Sequence, residues 1–548
     1  MTERDETLTG LEVSAAPAAP WARLLQLWRQ AVRYIAPDQM LMALRAALLP
    51  LRGAPPARDA PVVAVECVEH PLYFALFAGL CDEMRRGGRT RVELVVVRSI
   101  NAAVGSGPLH AVARSALVGY CVSRHWIRAF RGVADAVAYR SRSLTRPLGD
   151  LIDWWRSGSI WRRARDGSSF HELRIDGVQV GDLVIDSYLR FRPRASFQAR
   201  DRFTRLLLWQ ACRDLRRATR YFRARRPLLY LTTFSTYLEH GIPVRVALLH
   251  DVAVRSFGSF TRFGKALACS DWFHTPDARA YKAQFESLDR QAERLAAADE
   301  HLNTRLGGGV DQVMSYMRVS AYRVTSEAVP PVAGATVVFL HDFYDSLHVY
   351  ADVVFHDFWT WACFTVDVLT ATGTRFFVKP HPNQMLLSSK ALTDLRRRYP
   401  DLPLIPSSIT NAQLAGAGMA RGVTMYGSVA HELAYFGVPS IACARHPHNS
   451  FNFCRTARNV GEYEQYLRAP CQEPIDKIEM RRQALAFYYM HNLYGVSDEL
   501  ALRQRYVELW KSWLANAAPT ETREKFLALR RAEEFHRFGA ALRGSETV

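Results

Sequence analysis

The chain has 548 residues, of which 49% are hydrophobic and 23% charged, so it is long enough for two or three globular domains. Its formal net charge of +18 favours anionic neighbours such as nucleic acid, an anionic membrane surface or phosphorylated substrates, although a generally basic surface explains the charge equally well. Nine scattered cysteines without a Cys-X-X-Cys pair argue against a disulfide framework and indicate reduced core residues.

Residues 1–60 are predicted to form a disordered tail followed by an amphipathic helix. Apolar side chains recur at helical spacing from Trp21 to Ile35, with arginines between them. Such a helix either packs on the protein body, which we favour slightly, or lies on anionic lipid. No basic segment followed by an apolar run is seen among the first 20 residues, so we expect no signal peptide, and the absence of an apolar stretch of about 18 residues predicts no transmembrane helix. We therefore expect a cytoplasmic protein, with any contact to the inner membrane peripheral.

The first predicted domain spans residues 61–326. A helix at Leu72–Arg86 lies between two apolar segments, which is typical of the start of a parallel α/β layer. The segment Glu172–Arg190 alternates in polarity around a glycine and predicts a hairpin. The predicted strands are Val62–Val65, Arg91–Arg98, Leu228–Thr233 and Val244–Leu249, and residues 276–303 are predicted to be helical.

A proline-containing linker, Glu327–Ala335, separates this domain from a second one at residues 336–476, and charged helices follow at 477–548. The strands predicted in the second domain are Val337–Leu340, Phe376–Val378, Val423–Met425 and Ser440–Ala442. Two successive α/β domains predict a facing pair of doubly wound, Rossmann-like sheets with a cleft between them. Ligands of such sheets bind beyond the carboxyl ends of the strands.

A small-residue motif follows the predicted strand Val423–Met425. Gly427 and Ser428 would let a phosphate approach backbone amides at a helix start, and Glu432, one turn later, is a candidate ligand for ribose hydroxyls. The alternative is that Ser428 caps a helix and Glu432 faces solvent.

A second motif, Lys379-Pro380-His381-Pro382-Asn383, follows Phe376–Val378. The two prolines would stiffen a turn that presents Lys379 and His381 as donors to a leaving phosphate. The alternative is a rigid loop with a surface lysine.

A third cluster, His341–His348, follows Val337–Leu340 and contains Asp342 and Asp345. It either binds a metal or positions a sugar, and we favour the sugar. His348 is also a candidate structural residue. The chain has no Asp-X-Asp triplet, so we expect no metal.

The three motifs also resemble a known family. FLHDFYDSLHVY, KPHPN and YGSVAHELAYFGVPSIACARHPHN are similar to segments of bacterial capsule and lipopolysaccharide glycosyltransferases, which include Kdo transferases with the GT-B fold. Upstream, GDLVIDSYLR and HGIPVRVAL resemble first-domain segments of surface-carbohydrate biosynthesis proteins. The resemblance covers about residues 60–470 and is strongest over 336–452.

The resemblance implies a GT-B-like fold with an acceptor-side first domain and a second domain that binds a nucleotide-sugar. It implies that His381 contacts the donor phosphate and that Ser428 corresponds to the family's serine motif. The donor would be a nucleotide-sugar, with a CMP-linked, Kdo-like sugar as a candidate, and the acceptor a glycan or glycolipid. No cofactor beyond this co-substrate and no metal are expected.

Sugar transfer also needs a group that removes the acceptor's proton. The first-domain candidates are Asp182, Asp186, Glu239 and His240, and the second-domain candidates are Asp342 and Asp345. We favour Asp186 and Asp345, although Asp182 and Asp186 could equally serve a turn and a strand edge.

Other functions stay open. A polyol-phosphate transferase of the teichoic-acid type and a sugar-nucleotide epimerase are alternatives with a similar fold. A non-catalytic export adaptor that binds nucleotide or glycan is an alternative from another class. A nucleic-acid binder is least favoured, because no basic motif interleaved with aromatic residues is present.

Overall fold

The computed structural model describes residues 39–48, 56–86, 90–97, 125–140, 147–164, 170–192, 194–257, 262–277, 279–308, 322, 326–382, 386–470, 476–515 and 517–544. They form two compact units. The first comprises Met1–Arg192, Gln198–His274 and Val496–Val548, and the second comprises Pro193–Phe197 and Thr275–Gly495. The predicted amphipathic helix at Trp21–Ile35 lies outside the described residues.

The first unit is built on a six-stranded sheet in the order β3-β2-β1-β6-β7-β8. All neighbouring strands are parallel except the β7–β8 pair, which is antiparallel. The strands are β1 (Val62–Glu66), β2 (Arg91–Val96), β3 (Ala136–Arg140), β6 (Leu229–Thr232), β7 (Ala253–Ser256) and β8 (Lys265–Leu267), and a separate small hairpin contains β4 (Arg174–Ile175) and β5 (Val178–Gln179).

Helices surround this sheet. They are α1 (Gln39–Leu48), α2 (Pro71–Arg85), α3 (Pro147–Arg163), α4 (Gly181–Phe191), α5 (Arg202–Arg225) and α6 (Tyr237–Leu249), with α15 (Ser497–Leu514), α16 (Pro519–Arg531) and α17 (Glu533–Gly544) from the end of the chain. Helix α2 begins where the sequence predicts, because Pro71 occupies its first turn and the His70 side chain accepts a hydrogen bond from Leu72 N.

The second unit contains a five-stranded, fully parallel sheet in the order β10-β9-β11-β12-β13. Its strands are β9 (Thr336–Phe339), β10 (Phe376–Lys379), β11 (Arg421–Val423), β12 (Ser440–Ala442) and β13 (Cys454–Thr456). Its α-helices are α7 (Tyr281–Glu286), α8 (Gln291–Leu306), α9 (Phe358–Ala371), α10 (Leu386–Arg398), α11 (Asn411–Gly416), α12 (Val429–Tyr435), α13 (Val460–Arg468) and α14 (Lys477–Tyr488). A 3-10 turn, Pro447–Ser450, and a π-helical turn, Tyr489–Leu493, complete the unit. The predicted α/β class with parallel sheets and a helical C-terminal region is confirmed.

The compact units divide the chain differently from the predicted domains at 61–326, 336–476 and 477–548. Helices α7 and α8 belong to the second unit, because their apolar side chains share a core with α14. The chain end returns to the first unit, because Leu502, Trp510 and Phe535 are buried in the core around β1 and α2. Proline and glycine content placed the first boundary too late, since the linker 327–335 follows helices that already pack with the second unit.

Two local predictions were wrong. Only residues 174–179 of the predicted hairpin pair as strands, and the remainder of that segment begins α4. Val244–Leu249 is not a strand but the last part of α6. Nearly every residue there is buried, so the helix shows no polar face from which its period could be recognised. No helix in the described ranges is both long and apolar enough to cross a membrane.

Candidate functional site at the carboxyl edge of the second sheet

The three sequence motifs of the second domain meet at one edge of one sheet. They follow β10, β9 and β11, which are adjacent and parallel in the sheet. In the strand register Lys379 pairs with Phe339, and Val338 pairs with both Val378 and Val423. The carboxyl ends of the three strands are therefore level, and this edge is where parallel α/β sheets bind ligands.

Lys379, the last residue of β10, is the most informative side chain at this edge. It is 5% exposed, and within the described part of the chain its ammonium group has no hydrogen-bond or ion-pair partner. Burial lowers the pKa of Lys379 to about 8, and the nearby Glu432 carboxylate opposes this shift. A buried cation without a partner is costly, so this position favours an anionic ligand.

His341 follows β9 and is held by aromatic neighbours. Its ring stacks on Phe358 at a centroid distance of 4.9 Å and lies 4.7 Å from the Tyr426 ring. Its Nε2 atom is 3.1 Å from Thr424 Oγ1. Burial, and secondarily the nearby His381, lowers the pKa of His341 to about 3, so the ring is neutral at physiological pH.

Glycine is required at position 427 because the neighbouring side chains leave no space for a Cβ atom. A Cβ atom at this position would lie 2.8 Å from Thr424 Oγ1 and 3.4 Å from His341 Nε2. The Gly427 amide already donates to Thr424 Oγ1 at 3.0 Å. The Gly427 amide is therefore already engaged, and the approach of a phosphate to the backbone amides at the start of α12 stays a prediction.

Ser428 directly precedes α12, and the sequence offered two roles for it. The structure contradicts the capping alternative, because its hydroxyl does not cap the helix. The residue is half-buried, and within the described ranges its hydroxyl makes no hydrogen bond. Ser428 therefore offers a hydroxyl donor beside Gly427.

Glu432 lies in a buried hydrogen-bond network. The alternative prediction, that Glu432 faces solvent, is therefore wrong. Its Oε1 accepts from Tyr322 Oη at 2.6 Å and Arg305 Nη2 at 3.2 Å, and its Oε2 accepts from Asn411 Nδ2 at 2.7 Å. Both carboxylate oxygens are engaged, and the residue is 1% exposed. These contacts give Glu432 a positioning role next to Lys379, and its contact with ribose stays a prediction.

Other predicted residues lie around the same edge. Asp342 accepts from Tyr344 N at 3.0 Å and from Ser388 Oγ at 2.7 Å, so it ties the turn after β9 to α10. Asp345 is exposed and accepts from Ser346 N, and His348 is buried. His381 is half-buried and Pro382 is exposed, while Asn383 lies outside the described residues.

Sequence reasoning missed a run of rings that extends this edge toward β12. The Tyr350 ring lies 5.0 Å from those of Tyr426 and His446, and the His446 and His448 rings are 4.1 Å apart. Neither ring nitrogen of His448 has a hydrogen-bond partner in the described part of the chain. Burial lowers the pKa of His448 to about 3. The stretch ending in ARHPHN contains both histidines, but nothing in that sequence indicates that their rings are in contact.

The first unit holds a different polar cluster at the ends of β1 and β6. The buried Glu66 carboxylate pairs with His240 Nδ1 and accepts from Thr233 N at 2.8 Å and Thr232 Oγ1 at 3.0 Å. His240 Nε2 lies 3.5 Å from Glu239. Burial lowers the pKa of His240, but the Glu66 charge and the hydrogen bonds that His240 donates to Glu239 and Glu66 together outweigh burial and raise that pKa to about 10. Sequence reasoning missed Glu66, whose signal was a carboxylate ending the apolar strand VVAVE.

The favoured base Asp186 lies elsewhere in this unit. It is 1% exposed within α4 rather than at a strand edge. Asp182, one turn earlier, is ion-paired with the buried Arg245. A catalytic role for Asp186, Asp342 or Asp345 stays a prediction. In the described ranges no group of three or more His, Cys, Asp or Glu residues has an arrangement that could hold a metal ion.

Comparison with known proteins gives distant similarities in structure. No protein-family model and no curated protein matches the chain. Among solved structures, the chain is similar to the Thermosulfurimonas dismutans β-Kdo 2,4-transferase KpsC (10% identity over 47% of this chain and 79% of that one, TM-score 0.28). It is also similar to a Neisseria meningitidis UDP-GlcNAc 2-epimerase bound to UDP-GlcNAc (8% identity, 83% and 99% coverage, TM-score 0.22). A third is Anabaena HepE in complex with UDP and glucose (10% identity, 83% and 98% coverage, TM-score 0.23).

Proposed function

We propose that this chain is a glycosyltransferase whose nucleotide-sugar donor binds with its phosphates at the carboxyl edge of the second sheet. The observation that carries the proposal is the buried Lys379 ammonium, which has no partner among the described residues. A diphosphate or a nucleoside monophosphate supplies the charge that this cation lacks. The motif resemblance to capsule and lipopolysaccharide enzymes supports a bacterial surface glycan or glycolipid as acceptor and a CMP-linked sugar as a donor candidate.

The chemistry follows from where charge develops. As the bond between the sugar and the donor phosphate breaks, the leaving phosphate gains negative charge, and preorganised donors stabilise it more than they stabilise the intact donor. Lys379 supplies the fixed cation, and the Ser428 hydroxyl and His381 supply hydrogen-bond donors. The Glu432 network keeps a carboxylate near Lys379, which favours the charged ammonium although the site is buried.

A proton acceptor for the acceptor hydroxyl is proposed in the first unit. Glu239 is 23% exposed at its side chain and lies beside His240, which is held in turn by the buried Glu66. In this assignment Glu239 takes the proton, and the charged His240 orients its carboxylate. Glu239→Gln should lower kcat by about 100-fold or more while leaving donor affinity unchanged. An unchanged kcat would return the role to Asp186 or Asp345.

The test is a transfer assay with radiolabelled CMP-, CDP-, UDP- and GDP-linked donors and a bacterial glycolipid extract as acceptor. Lys379→Met should lower kcat/KM for the active donor by about 100-fold, the effect expected on losing one electrostatic contact to the transition state. Lys390→Met is the matched control, because Lys390 is exposed and paired with Asp394. Epimerised donor without transfer would contradict the proposal, as would transfer of a polyol phosphate.

A further inference from the structure

Helix α3 carries an apolar stripe that no other part of the described protein covers. Leu148, Leu151, Ile152 and Trp155 follow the i, i+3, i+4, i+7 spacing of one helix face and are 77, 53, 66 and 70% exposed. They account for four of the ten large hydrophobic side chains that are exposed in the described ranges. Concentration on one helix face distinguishes them from the singly exposed apolar residues found on any protein.

The orientation of this helix is fixed by its opposite face. Asp150 and Asp153 both pair with Arg216 of α5, at 2.8 and 2.6 Å. The Arg205 guanidinium lies 4.0 Å from the Trp154 ring centroid, and Trp209 Nε1 donates to Asp150 O at 2.9 Å. These contacts hold α3 against α5. The stripe therefore faces away from the core of its own unit.

The charge along the stripe indicates what covers it. Two turns after Trp155, the same face ends in the exposed Arg162 and Arg163, whereas both acidic residues of the helix are paired on the buried side. An apolar face with tryptophan and a basic end matches a bilayer interface, where tryptophan lies at headgroup level and arginine reaches lipid phosphates.

A second copy of this chain fits the stripe less well. Antiparallel pairing of two α3 helices would place the basic end of one against the apolar turns of the other. Each copy also carries a formal net charge of +18, which opposes association.

We propose that the exposed face of α3 docks the protein on an anionic lipid surface. Leu148, Leu151, Ile152 and Trp155 enter the headgroup boundary, and Arg162 and Arg163 contact lipid phosphates. This surface is independent of the proposed donor site, because it involves none of that site's residues.

The test is sedimentation of the full-length protein with vesicles of phosphatidylcholine, with and without phosphatidylglycerol. The wild type should bind the anionic vesicles. Ile152→Glu with Trp155→Glu should weaken binding by about tenfold per residue, because two apolar side chains then no longer enter the interface. Arg162→Gln with Arg163→Gln should weaken it by about fivefold per residue and reduce its sensitivity to salt.

Ile478→Glu is the matched control. Ile478 is 78% exposed on α14 without an apolar stripe around it, and its substitution should leave vesicle binding unchanged. Thermal melts should show that each variant is folded, and nucleotide binding in solution should be unaffected in all of them. The proposal is wrong if the wild type ignores anionic vesicles or if the Ile152/Trp155 double variant binds them normally. It is also wrong if the wild type is a dimer that binds no lipid and the double variant is a monomer.

Discussion

The last residues of β1 and β10 make an instructive pair. Glu66 ends β1 and Lys379 ends β10, and the two are 4% and 5% exposed. Glu66 is surrounded by its own chain, with His240 as counter-ion and Thr232 and Thr233 as donors. Lys379 has no such partner in the described residues. One strand end therefore contains a satisfied buried charge, and the other contains a charge that needs a ligand.

The difference shows how a structural charge and a binding charge can be distinguished. Taking an ion out of water costs several kcal/mol unless a counter-ion and hydrogen bonds offset that cost. The chain offsets it internally at Glu66, which indicates a role in stability and in holding His240. At Lys379 the folded protein does not offset the desolvation cost of the ammonium group, which indicates that this group binds an anionic ligand. Variants at the two positions should therefore affect different measurements.

The largest effect on stability is expected at Glu66. Glu66→Gln should lower the free energy of unfolding by about 3 kcal/mol, because the half-buried His240 loses its closest and most buried counter-ion. The raised pKa of His240 and the lowered pKa of Glu66 mean that the pair stabilises the fold fully between about pH 4.5 and 6.5, and this contribution is lost as the pH rises through about 10. The deficit should therefore shrink with rising pH in denaturant titrations.

A matched control is Glu172→Gln, since Glu172 is 77% exposed at its side chain and should change stability by less than about 0.5 kcal/mol. If Glu66→Gln costs as little as this control, the pair does not stabilise the protein and the comparison fails.

Two histidines give the same contrast, because the buried His448 is neutral whereas the half-buried His240 is charged. The lowered pKa of His448 means that the unfolded chain binds a proton more readily, so stability falls as the pH drops from 6.5 toward 3. His448→Leu should remove this penalty, gaining up to about 1.4 kcal/mol over the wild type for each pH unit below 6.5. Urea unfolding at a series of pH values measures it. His171→Leu, at a half-exposed site, is a control for the substitution itself and should change stability by less than about 0.5 kcal/mol. Parallel pH profiles for wild type and His448→Leu would show that the ring is not buried as a neutral group.

The affinity for the donor nucleotide should depend on whether Lys379 is protonated. Because its pKa in the free protein is about 8, nucleotide affinity should fall by about tenfold per pH unit above pH 8. Lys379→Arg keeps its charge and should bind with little pH dependence over the same range. Calorimetric titration between pH 7 and 10 distinguishes the two. A flat profile for the wild type would mean that the ammonium does not contact the phosphate.

The smallest effect is expected at Ser428. Ser428→Ala removes one neutral donor and should weaken nucleotide binding by about fivefold, corresponding to about 1 kcal/mol. Ser450→Ala, in the 3-10 turn after β12, serves as a control for loss of a hydroxyl. Full affinity in Ser428→Ala would remove this residue from the proposed site.

Much of the second sheet could be predicted from sequence, because four short apolar strands are each followed by polar or small residues. That alternation predicts Lys379, His341 and Gly427 at one edge of the sheet, where the structure has them. The first unit was harder to predict. Val244–Leu249 has the β-branched residues of a strand, yet tertiary packing makes it helical, since α6 is buried against α4 and α5.

Pairing over long sequence separations could not be predicted. Glu66 and His240 are 174 residues apart, and Glu432 meets Arg305 across 127 residues. No local sequence pattern predicts such contacts, although they determine which buried charges have a counter-ion. The sequence also offered the alternatives of a surface lysine at 379 and a solvent-facing Glu432, and both depended on burial that spacing does not encode.

The most direct test of the central claim measures two properties of one variant. In Lys379→Met, nucleotide affinity should fall by about 10- to 100-fold, as expected for loss of a charged hydrogen bond, while the free energy of unfolding stays constant or rises. Lys390→Met should change neither. An unchanged affinity, or a marked loss of stability, would show that Lys379 serves the fold rather than a phosphate and would contradict the account.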